Sequence, residues 1–429
     1  MRPTLPQAFA AVVLGLAPSC GREARAAEPV LPSVVEIDAH TVLLERDGAK
    51  VVNGGYGSAL ALDPNDPGRF YLLTDRGPNV DVADRERAKR LLVPGFVPTI
   101  GRFRLDGDHL ALETTIELED AGGRRLTGRP PGSADGAAVE SGFDPDGAPL
   151  EGDPSGVDPE GLVALPDGTF WVSEEYGPSI LHVSASGRTL ERIDARAGGG
   201  RRLPRVLARR RANRGMEGLT ITPDGRALVG VMQAALDNPT SSAGKASRAT
   251  RIVAFDLATG RTRQFLYLRE EPHHSCSEIA ALTSDSFLVL ERDGRTPNDP
   301  SKPSRHISVW RVDLADATDV GDPDDSEAGR RIGGRTLEEC SPEELEKAGV
   351  RAGRKTEVLN LLERGYPHDK PEGLAVIGDR TIAVSNDDDF GIVAAASAPA
   401  GFATKWLAGD PKVADHGTVR FYRLASPLR

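Results

Sequence analysis

Residues 158–175 read DPEGLVALPDGTFWVSEE. A glutamate is followed by an apolar run, a Pro-Asp-Gly turn and a second apolar run that ends in two acidic residues. Asp-Gly between apolar runs is a strong hairpin signal, because glycine accepts the positive φ that tight hairpin turns require. The stretch therefore predicts an antiparallel hairpin with carboxylates at its open end.

The pattern recurs along the chain. Further copies begin Gly215-Met216-Glu217-Gly218-Leu219, Cys276-Ser277-Glu278-Ile279-Ala280 and Lys370-Pro371-Glu372-Gly373-Leu374. A fifth, divergent copy carries Ser58 where the others carry glutamate. Behind each hairpin the sequence predicts another strand pair, and four antiparallel strands repeated radially are typical of a β-propeller blade. We predict an all-β propeller with five recognisable blades, and the longer insertions leave six or seven possible.

The two ends of the chain are expected to close the ring. Residues 33–44 and 417–424 form strands outside the repeats, and a blade shared by both termini removes exposed sheet edges. Residues 28–429 would then be a single domain, with insertions near 120–157 and 313–353.

The first 27 residues are typical of an export signal. Arg2 supplies the charge, Phe9 to Ala17 an apolar run, and Ala24-Arg25-Ala26 a small-x-small cleavage site. The run is too short to span a bilayer. Cys20 leaves the alternative that the protein is a lipoprotein, although Ala17-Pro18-Ser19 is a poor lipobox. We expect an exported protein, periplasmic or extracellular, without membrane insertion.

The net negative charge of the chain limits the classes of molecule that it is expected to bind. The chain carries 64 acidic and 53 basic residues, for a net charge of −11. An acidic surface argues against nucleic acid or an anionic membrane as a partner and is compatible with bound divalent cations. We expect a monomer.

Cys276 and Cys340 allow two interpretations. They form either a disulfide or two separate buried thiols.

The repeated acids predict one site. In an antiparallel hairpin the start of the first strand lies beside the end of the second, so Glu160 lies near Glu175, and Glu372 near Asp387. If these are the inner strands, the acids converge at one mouth of the central channel. The predicted metal ligands are Glu160, Glu175, Glu217, Glu278, Glu372 and Asp387. Convergent acids raise one another's pKa unless a cation neutralises them. Oxygen ligands favour Ca²⁺, with Mg²⁺ or Mn²⁺ as alternatives. A purely architectural glutamate, accepting backbone N–H groups between blades, stays open.

Four further residues are expected at the same rim. Arg76 and Arg292 follow Asp75 and Glu291 at equivalent strand ends, and each either binds a phosphate bidentately or neutralises its acidic neighbour. His274 is a candidate general acid and His368 a candidate substrate contact, with a packing role open for both.

Several blocks resemble the exported bacterial phytase-like family known as "esterase-like activity of phytase". They are 158–162, 170–178, 213–219, 370–374 and 385–391. The resemblance implies a β-propeller that hydrolyses a small phosphoester with the help of a metal, with Glu160, Glu174, Glu175 and Glu372 as catalytic acids. Two alternatives remain: a non-enzymatic ligand- or protein-binding propeller, and a lactonase-type propeller hydrolase that uses one metal.

Overall fold

Short strands account for nearly all the regular structure of the computed structural model, which describes residues 31–83, 85–132, 140–196, 198, 200–398, 400–408 and 413–428. In chain order the strands are β1 (Val34–Asp38), β2 (Val42–Arg46), β3 (Ala49–Val52), β4 (Ala59–Leu62), β5 (Arg69–Leu73), β6 (Asn79–Asp81), β7 (Ala88–Leu91), β8 (Thr99–Asp106), β9 (His109–Glu117), β10 (Ser141–Phe143), β11 (Pro159–Ala164), β12 (Phe170–Glu174), β13 (Ser179–Val183), β14 (Thr189–Asp194), β15 (Met216–Ile221), β16 (Ala227–Met232), β17 (Ala249–Asp256), β18 (Thr262–Leu268), β19 (Ser275–Ala281), β20 (Ser286–Arg292), β21 (Ile307–Asp313), β22 (Arg331–Ile332), β23 (Arg335–Thr336), β24 (Arg354–Asn360), β25 (Pro371–Ile377), β26 (Thr381–Asn386), β27 (Ile392–Ala394), β28 (Phe402–Thr404) and β29 (Thr418–Arg423). The α-helices are α1 (Ser241–Ala246) and α2 (Pro342–Lys347). The predicted export signal lies outside the described residues.

Five four-stranded blades form a closed ring. Blades 1 to 5 are β4-β5-β8-β9, β11-β12-β13-β14, β15-β16-β17-β18, β19-β20-β21-β24 and β25-β26-β29-β1. The first strand of each blade packs against the first strand of the next, and β25 packs against β4 to complete the circle. The propeller prediction is confirmed, and in the described part of the chain the blades number five.

Blade 5 takes strands from both ends of the chain, as predicted. Strand β1 pairs antiparallel with β29, with Val35 opposite Val419. The same β1 also pairs in parallel with β9 of blade 1, with Ile37 opposite Leu110. The sheets of blades 5 and 1 are therefore continuous, and β1 leaves no free edge where the ring closes.

Each blade is buried on both faces, because it is packed between two others. In blade 2, Val172 and Leu181 join a cluster with Leu73 of blade 1. The alternate residues Trp171 and Ile180 join a second cluster with blade 3. Period-two alternation therefore sends apolar side chains to both neighbours, and β12 is buried along its whole length.

The glycine after the repeated glutamate permits close contact between inner strands. A Cβ on Gly161 would lie 2.6 Å from the backbone nitrogen of Leu219 in blade 3 and 2.4 Å from Ser173 Oγ. A Cβ on Gly373 would lie 2.8 Å from the backbone nitrogen of Leu60 in blade 1. The Glu-Gly pair therefore has a packing function that is independent of the carboxylate.

Insertions surround the ring. The hairpins β2-β3 and β27-β28 pack with strand β6 and the loop at Phe390 around a separate apolar cluster that includes Val51, Val80 and Phe402. The segment between β21 and β24 carries β22, β23 and α2, and its Glu338 forms a buried ion pair with Arg251 of blade 3. Cys276 and Cys340 are separate, buried free thiols. In the described residues, no helix has the length and apolar character needed to cross a membrane.

Candidate metal centre at the channel mouth

A β-bulge interrupts the inner hairpin at the same point in four blades. The register shifts between Pro159 and Gly161, Met216 and Gly218, Cys276 and Glu278, and Pro371 and Gly373. A bulge leaves one residue unpaired and re-aims its side chain. The bulge position is held by Glu160, Glu217, Ser277 and Glu372, and in blade 1 Ser58 takes the equivalent place before Ala59.

Glu278 is displaced from this ring of bulge positions. The repeat aligns it with Glu160, but the structure gives that position to Ser277. Glu278 instead accepts hydrogen bonds from the backbone N–H groups of Leu219 in blade 3 and Ile279, both at 2.9 Å. The alignment of Glu278 with Glu160 is therefore wrong, and Glu278 ties blade 4 to blade 3 through Oε1, whereas its role as a metal ligand stays a prediction.

A second set of polar residues ends the second strand of each blade. The register places Asp75, Glu175, Gln233, Arg292 and Asp387 at equivalent positions. The carboxylates of Asp75 and Asp387 lie close enough for their charges to repel each other, and so do those of Glu175 and Glu217. One end of the ring of inner strands, which we call the mouth, therefore carries two tiers of side chains, and the acids among them belong to blades 1, 2, 3 and 5.

Glu174 does not reach the mouth. It is fully buried, and its carboxylate accepts hydrogen bonds from Ser179 Oγ at 2.7 Å and Arg192 at 3.2 Å. Backbone N–H groups of the turn after β12 occupy the remaining sites of the carboxylate. Glu291 holds the equivalent place in blade 4, where Lys355 and Tyr267 bind it. The catalytic assignment of Glu174 is corrected to a structural one.

The two histidines are also bound by neighbouring side chains. His274 lies with its Nδ1 2.9 Å from Glu291 Oε1 and stacks on His306, inside blade 4. His368 is 1% exposed, with Nδ1 2.7 Å from Asp415 and Nε2 3.1 Å from Thr418 Oγ1. These partners hold both histidines in place, and His274 also lies with Glu291 and His306 in a group of possible metal ligands, so the predicted roles of His274 and His368 stay predictions.

Three carboxylates converge beside the bulge of blade 2. Asp158, Glu160 and Glu175 each offer an oxygen, and these atoms lie within 4.8 Å of one another. Asp158 is 1%, Glu175 2% and Glu160 9% exposed. We call these three residues the blade-2 corner. Asp158 was not predicted, although it begins the stretch that decides the fold.

The blade-2 corner and the neighbouring bulge positions have oxygens without a hydrogen-bond partner in the part of the chain that the structure describes. Within the described residues, Asp158 Oδ2 and Glu217 Oε2 are buried without a hydrogen-bond partner, and so is the hydroxyl of Ser58 at the bulge position of blade 1. The nearest cation is the Arg76 guanidinium, 3.5 Å from Asp158 Oδ2. Buried polar atoms are almost always partnered, so these oxygens are free to accept a hydrogen bond from water or to bind a cation.

Burial raises the pKa of these carboxyls. The pKa of Asp158 is raised to about 7, chiefly by burial, with Glu175 and Glu140 adding to the effect. Burial and then the charge of Glu217 hold the pKa of Glu160 well above its usual range. A cation would reverse both effects, and an all-oxygen donor set suits Ca²⁺, Mg²⁺ or Mn²⁺.

Three basic residues at the mouth are already paired with carboxylates. Arg76 binds Glu140, and Arg292 binds Glu372 Oε1 at 2.8 Å and Ser277 Oγ at 2.9 Å. Lys370, which was not predicted, binds Asp387 and Asp389. The role of Arg76 and Arg292 as structural ion pairs is thus observed, but with partners other than the expected Asp75 and Glu291.

Without divalent cations, the free energy of unfolding is expected to fall as pH rises from about 4 to about 7. The folded pKa values of Asp158 and Glu372 are raised to about 7. The folded state therefore retains protons that the unfolded chain has already released, and this stabilisation is lost as pH increases. Thermal unfolding in chelator at about pH 5 and about pH 7.5 measures the drop, which Ca²⁺ should remove. A midpoint that rises over this range in chelator would contradict the expectation.

Comparison with known proteins assigns the family. Residues 53–390 match the family model described as "Phytase-like: Esterase-like activity of phytase". The chain belongs to this family. An "Uncharacterized secreted protein" from Arthroderma benhamiae is 27% identical to the phytase-like chain over 326 residues, which cover 60% of this chain and 63% of the relative.

The solved structures that resemble the chain do so only at low levels. A protein from Lactobacillus plantarum is 12% identical with a TM-score of 0.34, covering 91% of this chain and 98% of its own. Virginiamycin B lyase from Staphylococcus aureus is 13% identical with a TM-score of 0.34, covering 86% and 96%. Aldose sugar dehydrogenase from Streptomyces coelicolor is 12% identical with a TM-score of 0.31, covering 92% and 100%. With TM-scores this low, these likenesses carry no argument about what the phytase-like chain does.

Proposed function

We propose that this phytase-like propeller is a divalent-cation-dependent hydrolase of small phosphoric esters. The observation that carries the proposal is the blade-2 corner, where three buried carboxylates converge with unsatisfied oxygens beside them. The family's description as esterase-like supports an ester substrate. Because the acids would repel a phosphate, the ester can approach only when a cation reverses the local charge.

Different residues of the mouth would bind the cation and donate the proton. Asp158, Glu160 and Glu175 would hold the cation, which when bound polarises the ester and lowers the pKa of a water molecule. Glu217 Oε1 accepts a hydrogen bond from Gln233, whose amide is oriented by Arg214. Burial and the charge of Glu175 raise the pKa of Glu217 well above its usual range, which favours its protonated form. We assign Glu217 as the acid that protonates the leaving group.

Export is part of the same proposal. The N-terminal 27 residues are typical of a signal peptide, and the relative from Arthroderma benhamiae is named as secreted. An exported monomer would meet its substrate outside the cytoplasm, where Ca²⁺ is abundant enough for a site of moderate affinity. Fractionation of cells that produce the full chain tests this location.

The activity is tested on the purified protein. Phosphomonoesters and phosphodiesters are offered with Ca²⁺, Mg²⁺ or Mn²⁺ and again with excess chelator. We expect hydrolysis that chelator abolishes and added metal restores. Activity that survives chelator would exclude the metal-dependent mechanism. Metal binding without turnover of any phosphoester would favour the alternative of a ligand- or protein-binding propeller.

A lactonase-type hydrolase with one metal is the second candidate. The paired state of Arg76, Arg292 and Lys370 favours it, because each of these three cations is already bound to a carboxylate. Arg214 binds the neutral amide of Gln233 instead, so it is the basic side chain of the described mouth that a phosphate would have to use. A neutral lactone needs no such partner. Turnover of lactones, but not of phosphoesters, by the metal-loaded protein would decide for this candidate.

A further inference from the structure

Blades 2 and 5 carry almost the same sequence at the mouth. Residues 158–162 read DPEGL and residues 370–374 read KPEGL. The register is also the same, since Pro159 pairs with the last residue of β12 and Pro371 with the last residue of β26, with a bulge after each. Asp158 and Lys370 therefore occupy equivalent places in the ring.

In blade 5 the ammonium group lies among carboxylates. Lys370 Nζ contacts Asp387 Oδ2, lies 2.7 Å from Asp389 Oδ1, and is 3.8 Å from Glu372 Oε1. The Lys370 side chain is 29% exposed, and the Asp387 side chain is 1% exposed. Two acids thus bind one cationic nitrogen and a third lies within 4 Å, although Asp389 is shared with Lys405. A hard metal ion would take a similar place among these oxygens.

In blade 2 the equivalent place carries an acid. Asp158, Glu160 and Glu175 correspond by register to Lys370, Glu372 and Asp387. If every side chain were charged, the blade-2 corner would carry three negative charges, whereas Lys370 leaves one net negative charge on its blade-5 counterpart. Each set also has one arginine beside it, Arg76 near Asp158 and Arg292 on Glu372, so the difference of two charges comes from Asp158 and Lys370. Within the described residues, no donor reaches the Glu160 carboxylate, whereas Glu372 is bound by Arg292 and approached by Lys370.

We propose that Lys370 is a built-in cation, which fills in blade 5 the place that a divalent ion takes in blade 2, so that the mouth binds one divalent ion. This inference rests on the cation site of the proposed function. An ammonium group and a metal ion compete for the same carboxylate oxygens and repel each other, so the lysine excludes a second ion from blade 5.

The exchange of one residue tests the proposal. Lys370→Asp recreates the DPEGL sequence in blade 5, and Asp158→Asn removes a ligand from blade 2. Calorimetric titration of the full chain with Ca²⁺ measures the number of ions bound. We expect one ion for the wild type, two for K370D and none for D158N. Circular dichroism confirms that each variant is folded.

The outcomes separate this inference from the proposed function. A wild type that binds no ion overturns both. A wild type that binds two ions, or a folded K370D that binds one like the wild type, overturns only the role of Lys370. If K370D does not fold without Ca²⁺, Lys370→Asn removes the ammonium group without adding charge. This variant is expected to bind a second, weaker ion, and a single ion would overturn the inference.

Discussion

Replacing Glu160 by glutamine is expected to abolish Ca²⁺ binding and ester hydrolysis while the propeller stays folded. Glu160 is the bulge residue of blade 2, and its carboxylate lies with those of Asp158 and Glu175. The amide keeps the size of the side chain but removes the charge that a hard cation requires. Because loss of an outer partner of a metal ligand already weakens affinity by about 10–100-fold, loss of the ligand should cost about 100-fold or more. Calorimetric titration and a metal-dependent ester assay measure the two effects.

Glu278→Gln is the matched control. Glu278 is a buried glutamate of the same repeat, but its carboxylate binds two backbone N–H groups rather than the blade-2 corner. Glutamine retains an oxygen that accepts these hydrogen bonds, and burial already holds the pKa of Glu278 well above its usual range. We expect E278Q to bind Ca²⁺ as the wild type does. Equal loss of affinity in E160Q and E278Q would refute the assignment of the site to blade 2.

Replacing Gly161 by alanine is expected to destabilise the propeller by about 3 kcal/mol. The added Cβ would lie 2.6 Å from the Leu219 backbone nitrogen and 2.4 Å from Ser173 Oγ, so blades 2 and 3 must move apart. Neither atom can yield easily, since Leu219 belongs to the inner strand of blade 3 and Ser173 Oγ bonds the Glu217 carbonyl. Denaturant unfolding of wild type and variant measures the difference in the free energy of unfolding.

Gly95→Ala provides the comparison. A Cβ at Gly95 meets no atom within 4 Å, and the φ of Gly95 is not in the left-handed region. The free energy of unfolding should therefore change by no more than about 0.5 kcal/mol. If Gly161→Ala is as harmless as Gly95→Ala, the close approach of the inner strands is not what the Glu-Gly pair provides.

Much of the architecture follows from local signals. The Pro-Asp-Gly turns at 166–168 and 223–225 lie between apolar runs, and each is a hairpin turn in the structure, between β11 and β12 and between β15 and β16. Periodic repetition of these hairpins predicted the propeller, and the unassigned strands at the two ends predicted the shared blade. These features are readable because hairpin pairing depends on residues that are close in sequence.

The site was only partly predictable. Repeat alignment correctly placed Glu160, Glu217 and Glu372 at equivalent positions, because their blades share both the glutamate and the bulge. In blade 4 the alignment was wrong by one residue, because a bulge changes which side chain is unpaired without changing the apolar pattern. The sequence also did not show on which side of the strand Glu174 points, because neighbouring residues of a strand face opposite sides.

The sequence by itself determined the hairpins, the repeat and the closure by both termini, because apolar periodicity and turn residues specify local pairing. Only the tertiary structure decided which acids meet, since the bulge and the direction of each side chain set where its carboxylate lies. It showed that Asp158 completes the blade-2 corner and that Lys370, at the same position in blade 5, neutralises its own acids. The physical reason is that a bulge and one charge exchange alter the electrostatics of the mouth while leaving the hydrophobic pattern that builds the fold unchanged.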